Sequence, residues 1–133
     1  MPEPTDPGAP VPTTVFDVVG RSFFIDLVDD FYRRVAADPV LRPSYPDDLT
    51  ESRRTLAWFL IQYWGGPTDY SDERGHPRLR MRHAPFVIGQ RERDAWLEHM
   101  TAAVAASDAP DEVAQLLDRY FEQASTAMIN QAL

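Results

Sequence analysis

The chain has 133 residues, 44% of them apolar and 11% aromatic, with a formal net charge of −8 and no cysteine. That length suits one domain with a real core, the composition argues for a folded chain, and the missing thiols exclude disulfides, thiolate catalysis and cysteine-based zinc sites. The acidic balance opposes nucleic acid and anionic membrane as partners. No apolar run reaches the ~20 residues of a bilayer span, and the opening Met1-Pro2-Glu3-Pro4 lacks the basic and apolar regions of a secretory signal. A soluble, cytoplasmic protein is expected.

Five prolines fall within residues 1–12, so residues 1–13 read as an extended, disordered tail and residues 14–133 as the folded domain. A short helix opens around Val15–Val19. Phe24, Leu27, Val28, Phe31, Tyr32 and Val35 then follow helical spacing, with Ser22 as N-cap, until Asp38-Pro39 ends the run. A second helix carries Leu56, Phe59, Leu60, Tyr63 and Trp64 on one stripe, entered by a capping box of Asp48 and Glu51 and stopped by Gly65-Gly66-Pro67. Residues 65 to 77 show no periodicity. An irregular segment of that length in a compact domain is usually functional or disordered. A brief helix ends near His83, halted by Pro85. Two more helices follow, one from about Arg91 with Trp96, Leu97, Met100 and Val104 inward. The other is opened by Asp108 and Pro110, with Val113, Leu116, Leu117, Tyr120, Phe121, Ala124 and Met128 inward. The expected class is all-α.

The stretch "RGHPRLRMRHAPF", residues 74 to 86, holds two of the three histidines and four of the thirteen cations, all of them arginine. A neutral imidazole is the commonest ligand for transition metals, and one proximal histidine usually holds haem iron. From spacing alone, a local hydrogen-bonding role for His83 is the commoner outcome. His76 and His83 are seven apart, outside zinc-motif spacing. Arg78, Arg80 and Arg82 could keep the imidazole neutral, clamp carboxylates, or form a solvated turn balanced by Asp69, Asp72 and Glu73. Tyr32, Tyr45 and Trp96 each join a polar atom to an apolar body, and a buried phenol or indole needs a partner. Together with His83 they suggest a cavity with donors aimed at a ligand. His99 reads as a half-buried or surface histidine. No Ser-His-Asp order, phosphate loop or zinc-protease motif is present.

The order "DFYRRVAADPVLRPSYP", "FLIQYWGGP", "RGHPRLRMRHAPF", "ERDAWLEHM" closely resembles the group II truncated haemoglobins, over roughly residues 15 to 130. The resemblance implies a two-over-two helical sandwich around a non-covalently held b-type haem (iron protoporphyrin IX). It implies His83 as the proximal iron ligand. Tyr32 matches the distal tyrosine, Tyr45 the aromatic packed on the haem, and Trp96 the distal tryptophan whose indole N–H points into the pocket. Leu56 matches the apolar residue over the iron and Ser52 a small residue at the usual distal-histidine position. Arg82 is the expected propionate partner. Gly20-Arg21 stands where the family has a Gly-Gly turn, and the corner "YPDDL" is one residue shorter than in some relatives, which leaves Ser52 placed to within one position. Thr55 stands where relatives often have an arginine near a propionate, so that interaction is either missing here or taken over by Arg54. The implied function is binding of dioxygen and other diatomic ligands, including nitric oxide and carbon monoxide. The alternative is a redox enzyme, performing nitric oxide dioxygenation or peroxidase-type chemistry with peroxide. That version needs an external reductase, since the chain has no flavin or nicotinamide motif. A haem-free helical interaction module is a third reading, and a homo-oligomer is left open.

Overall fold

The computed structural model describes residues 14–83 and 86–130. The proline-rich tail and Pro85 lie outside the described residues, as does the side chain of Arg80. The described residues form α1 (Val15–Ala36), a 3-10 turn at Arg42–Ser44, α2 (Thr50–Tyr63), α3 (Asp69–Arg74), α4 (Leu79–His83), α5 (Gln90–Ala106) and α6 (Asp111–Ala127).

Thr14 starts α1 with a capping box: its hydroxyl accepts from the Asp17 N–H at 3.0 Å, and the Asp17 carboxylate accepts from the Thr14 N–H at 3.2 Å. Gly20, at φ 79° and ψ 175°, breaks the helix in a conformation that side chains resist. The break thus comes two residues before Ser22, which lies inside the second segment and is not its cap. Beyond it, Phe24, Leu27, Val28, Phe31, Tyr32 and Val35 are all buried, as their spacing requires.

α2 begins without the expected capping box. Asp48 accepts from the Thr50 N–H at 2.9 Å, while Glu51 pairs with Arg54 at 2.9 Å. Gly65 and Gly66 allow the start of α1 to lie on the end of α2, where the Phe16 N–H donates to the Trp64 carbonyl at 3.0 Å. Gly65 sits at φ +108°, and a Cβ there would meet Thr14 at 2.5 Å. Between α2 and α4, where no helix was expected, α3 forms and buries Tyr70 beneath Phe59, with ring centroids 5.5 Å apart. Two expected inward residues point outward: Tyr63 is 52% exposed and Leu116 44%.

α1 packs on α2, α5 on α6, and α1 on α5. This two-over-two sandwich is closed by Phe24, Phe31, Leu60, Met100, Leu117 and Phe121, all at most 1% exposed. No helix among the described residues is long and apolar enough to cross a membrane.

Candidate functional site

A cleft of about 500 Å³ opens between the helix layers, within the range of small-molecule and cofactor pockets. Tyr32, Tyr45, Ser52, Leu56, Arg82, His83 and Trp96 all line it, brought there from α1, the corner after it, α2, α4 and α5. Leu41, Phe59, Leu60, Phe86 and Phe121 supply apolar wall. Phe86 and Val87 line the cleft while 48% and 66% exposed, apolar surface that a bound flat molecule would cover.

The His83 ring is fixed by one bond: Nδ1 lies 2.7 Å from the Leu79 carbonyl oxygen one turn earlier on α4. A carbonyl can only accept, so Nδ1 carries a proton, and the neutral form of the ring keeps its lone pair on Nε2. Metal-ligating histidines are oriented in this way. Around it, Arg82 donates from Nε to the Pro77 carbonyl at 2.7 Å and from Nη2 to the Arg74 and His76 carbonyls at 2.7 and 3.4 Å. Asn130 donates to the His83 and Phe86 carbonyls at 3.3 and 2.7 Å and accepts from the Ile88 N–H at 2.9 Å. The segment on either side of His83 is therefore tied to the turn before α4 and to the end of α6.

A second polar cluster joins α1, its following corner and α5. Tyr32, Tyr45 and Trp96 meet there: the Tyr32 and Tyr45 rings stand edge to face with centroids 5.6 Å apart, and the Trp96 indole and the Tyr32 hydroxyl lie beside the Tyr45 phenol. Burial pushes the Tyr45 phenol up to about 12, against the opposing pull of Trp96 and Tyr32 beside it. Burial also raises Tyr32, with Tyr45 beside it adding to the shift. Both phenols therefore stay protonated near neutrality. The corner is held by the Arg42 guanidinium, which donates to the carbonyls of Tyr45, Pro46 and Asp47 at 3.2, 2.9 and 2.9 Å. His99 Nε2 bonds Asp38, linking α5 to the start of the same corner. This hydrogen bond, joined by the Val40 N–H, holds the Asp38 carboxyl below the usual range.

Several expectations change in detail. Arg82 uses Nε and Nη2 on main-chain carbonyls, which leaves the Nη1 side for an acid. Arg54 does not line the cleft: it pairs with Glu73 at 2.7 Å and lies 4.0 Å over the Trp58 ring. Arg74 and Arg93 line the cleft unforeseen, as does Tyr120.

The bacterial-like globin family model matches residues 14–130. Group 2 truncated hemoglobin YjbI of Bacillus subtilis (strain 168) is 42% identical over 116 residues, 87% of this chain and 88% of that protein. The chain belongs to the bacterial-like globins, as a group II truncated haemoglobin. A hemoglobin from the phototrophic bacterium Chloroflexus aurantiacus superposes with a TM-score of 0.88 at 50% identity, covering 90% of this chain and 100% of that one. A truncated oxygen-avid haemoglobin from Bacillus subtilis does so at 0.85 and 41%, covering 89% and 100%.

Globins carry haem, and the cleft of this truncated haemoglobin fits it. Among the described residues, no three His, Asp or Glu side chains gather into a chelating set. A metal at His83 would thus need most of its ligands from elsewhere, as a porphyrin provides. Arg42 and Asn130, the ties that set the two ends of the site, were not singled out by sequence reading. Their partners are main-chain carbonyls, which leave no trace in residue spacing.

Proposed function

We propose that this truncated haemoglobin holds a b-type haem on His83 Nε2 and binds dioxygen and other diatomic ligands beside Tyr45. The observation that carries this reading is the His83 ring, held by the Leu79 carbonyl with its Nε2 lone pair uncommitted at the cleft. Haem, when bound, supplies an iron centre able to take a diatomic ligand. His83 anchors it. Leu56, Phe59 and Phe121 offer apolar wall for the macrocycle, while Arg74 and the Nη1 side of Arg82 are the cations placed for its carboxylates. Neither arginine is ion-paired among the described residues. In this proposal the Tyr45 O–H donates to a ligand carrying partial negative charge, and Tyr32 and Trp96, beside it in the cleft wall, polarise that hydroxyl. Such donation slows ligand release, which suits retention or redox use better than delivery. The oxygen-avid relative supports the same direction.

The test is haem uptake. Purified protein and its His83→Ala variant are titrated with haemin, then reduced with dithionite and exposed to carbon monoxide. A stoichiometric, sharp Soret band that shifts with carbon monoxide is expected for the natural chain. The variant should show a weaker, broadened band that imidazole restores. Equal spectra for both proteins would remove His83 as the ligand.

A second reading, oxidation chemistry with peroxide on the same cofactor, is favoured by Tyr120, an oxidisable ring in the cleft wall that continues toward the surface.

A further inference from the structure

We propose that Tyr120, Trp64 and Tyr63 form a path for single electrons between the cleft and the surface, making Tyr63 a second oxidation site for phenolic reductants too large to enter the cleft. This rests on the cleft holding haem and on hydrogen peroxide as the oxidant admitted there.

Tyr120 lines the cleft; Tyr63 and Trp64 do not. The Tyr120 ring lies 4.2 Å from that of Tyr63, centroid to centroid and tilted by 35°. Trp64 closes a triangle, 5.1 Å from Tyr63 and 5.5 Å from Tyr120. Electron transfer weakens steeply with distance, so rings in contact exchange electrons far faster than rings separated by aliphatic packing. Tyrosine and tryptophan are the most easily oxidised aromatic side chains. Their neighbours Phe59, 6.0 Å from Tyr63, and Phe121, 5.5 Å from Tyr120, are much harder to oxidise and bound the path.

Proton chemistry fixes where the oxidation ends. A phenol loses its proton when it loses an electron, so the stable radical forms where something can take that proton. Tyr120 is half-buried, and burial holds its phenol above the ordinary range, with Tyr63 adding to the shift. The Trp64 Nε1 is buried with no hydrogen-bond partner. Tyr63, 52% exposed, can release its proton to water. A cluster that served only to pack α2 against α6 would need neither two hydroxyls nor an indole N–H left unsatisfied, a feature that itself costs stability.

The electrons balance as follows. Each Tyr63 gives one electron through Tyr120 to the cleft and one proton to water, and becomes a neutral phenoxyl radical. A phenol at the surface returns one hydrogen atom to it and leaves as its own phenoxyl radical. Two such turns, with two protons taken from water, reduce one hydrogen peroxide to two water molecules: one peroxide and two phenols give two waters and two phenoxyl radicals.

The test uses haem-loaded protein whose Soret band and carbon monoxide shift have been recorded first. Peroxide is added with a nitroso spin trap, and adducts are mapped by peptide mass spectrometry. A companion assay follows oxidation of a tyrosine-containing peptide too bulky for the cleft. The natural chain is expected to carry its main adduct on Tyr63. Tyr120→Phe should lose that adduct. Tyr63→Phe should lose most of the peptide oxidation while binding carbon monoxide as before, which a purely packing role would not produce. Adducts on other residues but not Tyr63, an undiminished Tyr63 adduct in Tyr120→Phe, or unchanged peptide oxidation in Tyr63→Phe would each overturn the path. A failed haem spectrum would instead overturn the cofactor reading, before any peroxide is added, and the path with it.

Discussion

Replacing Tyr45 by phenylalanine, alone and together with Trp96→Phe, separates a direct donor from one that acts through a neighbour. In the proposed arrangement the Tyr45 hydroxyl, set beside Tyr32 and Trp96 in the cleft wall, is the direct donor to the ligand. Its loss removes a hydrogen bond to a partly charged group, about 1.5–3 kcal/mol, and should speed dioxygen dissociation roughly ten- to hundredfold. Trp96 only strengthens that bond. Cooperative strengthening of about 10–30% per bond makes its share ~0.2–0.9 kcal/mol, so Trp96→Phe alone should speed release less than about fivefold. The shape cost is small, because phenylalanine keeps an aromatic ring near Phe31 and Phe121, which lie 5.2 and 5.7 Å from Trp96. Stopped-flow displacement of dioxygen by carbon monoxide across the four proteins gives the double-mutant cycle. In the Tyr45→Phe background, Trp96→Phe should add nothing. A single Trp96→Phe effect of about tenfold or more, repeated unchanged in that background, would refute the arrangement and make the indole the direct donor.

Gly65→Ala should cost about 1–3 kcal/mol, since it combines a strained positive φ with a clash on Thr14; urea unfolding would measure it. Asp38→Asn should lower the urea midpoint at pH 7. The folded carboxyl is depressed by the His99 bond, so its contribution is present above the unfolded value of ~3.9 and disappears as pH falls through the lower folded value. The midpoints of variant and parent should therefore converge below about pH 4, and a pH-independent gap would assign the loss to packing. Arg42→Ala frees three carbonyls of the corner and should speed dioxygen dissociation with little change in haem content, read by the same displacement assay. Haemin held at 100 times its dissociation constant should stabilise the chain by ~2.7 kcal/mol, visible as a raised melting temperature that His83→Ala reduces.

Much of the frame was legible because burial imposes a period. Phe24 through Val35 are buried at the spacing their letters announce. The misses have separate causes. α3 is six residues long and buries only Tyr70, too little to show a helical stripe. Tyr63 falls on the apolar stripe of α2, yet its place near the end of that helix leaves it beside Tyr120 and open to solvent. The break in α1 was misplaced because Ser22 is a good cap by type, whereas the positive φ at Gly20 decided the matter. For the site, resemblance supplied residues but not the direction of bonds. That Arg82 serves main-chain carbonyls follows only from the geometry.

The two sides of the cleft are held by separate sets of residues, and this divides the effects of mutation. The His83 ring is positioned by the Leu79 carbonyl, and its segment by the Arg82 and Asn130 side chains bonding main-chain carbonyls. Side-chain changes in the pocket wall leave the Leu79 bond in place, so they should alter ligand kinetics before they alter haem retention. Tyr45 depends on Arg42 and on its side-chain neighbours Tyr32 and Trp96. Each of these can be changed singly, with a graded effect on the hydroxyl. Asn130→Ala provides the contrast. It removes donors to the His83 and Phe86 carbonyls and the acceptor for the Ile88 N–H, and should speed haem transfer to apomyoglobin more than it changes dioxygen dissociation. The opposite ratio would show that the two sides are coupled through the end of α6.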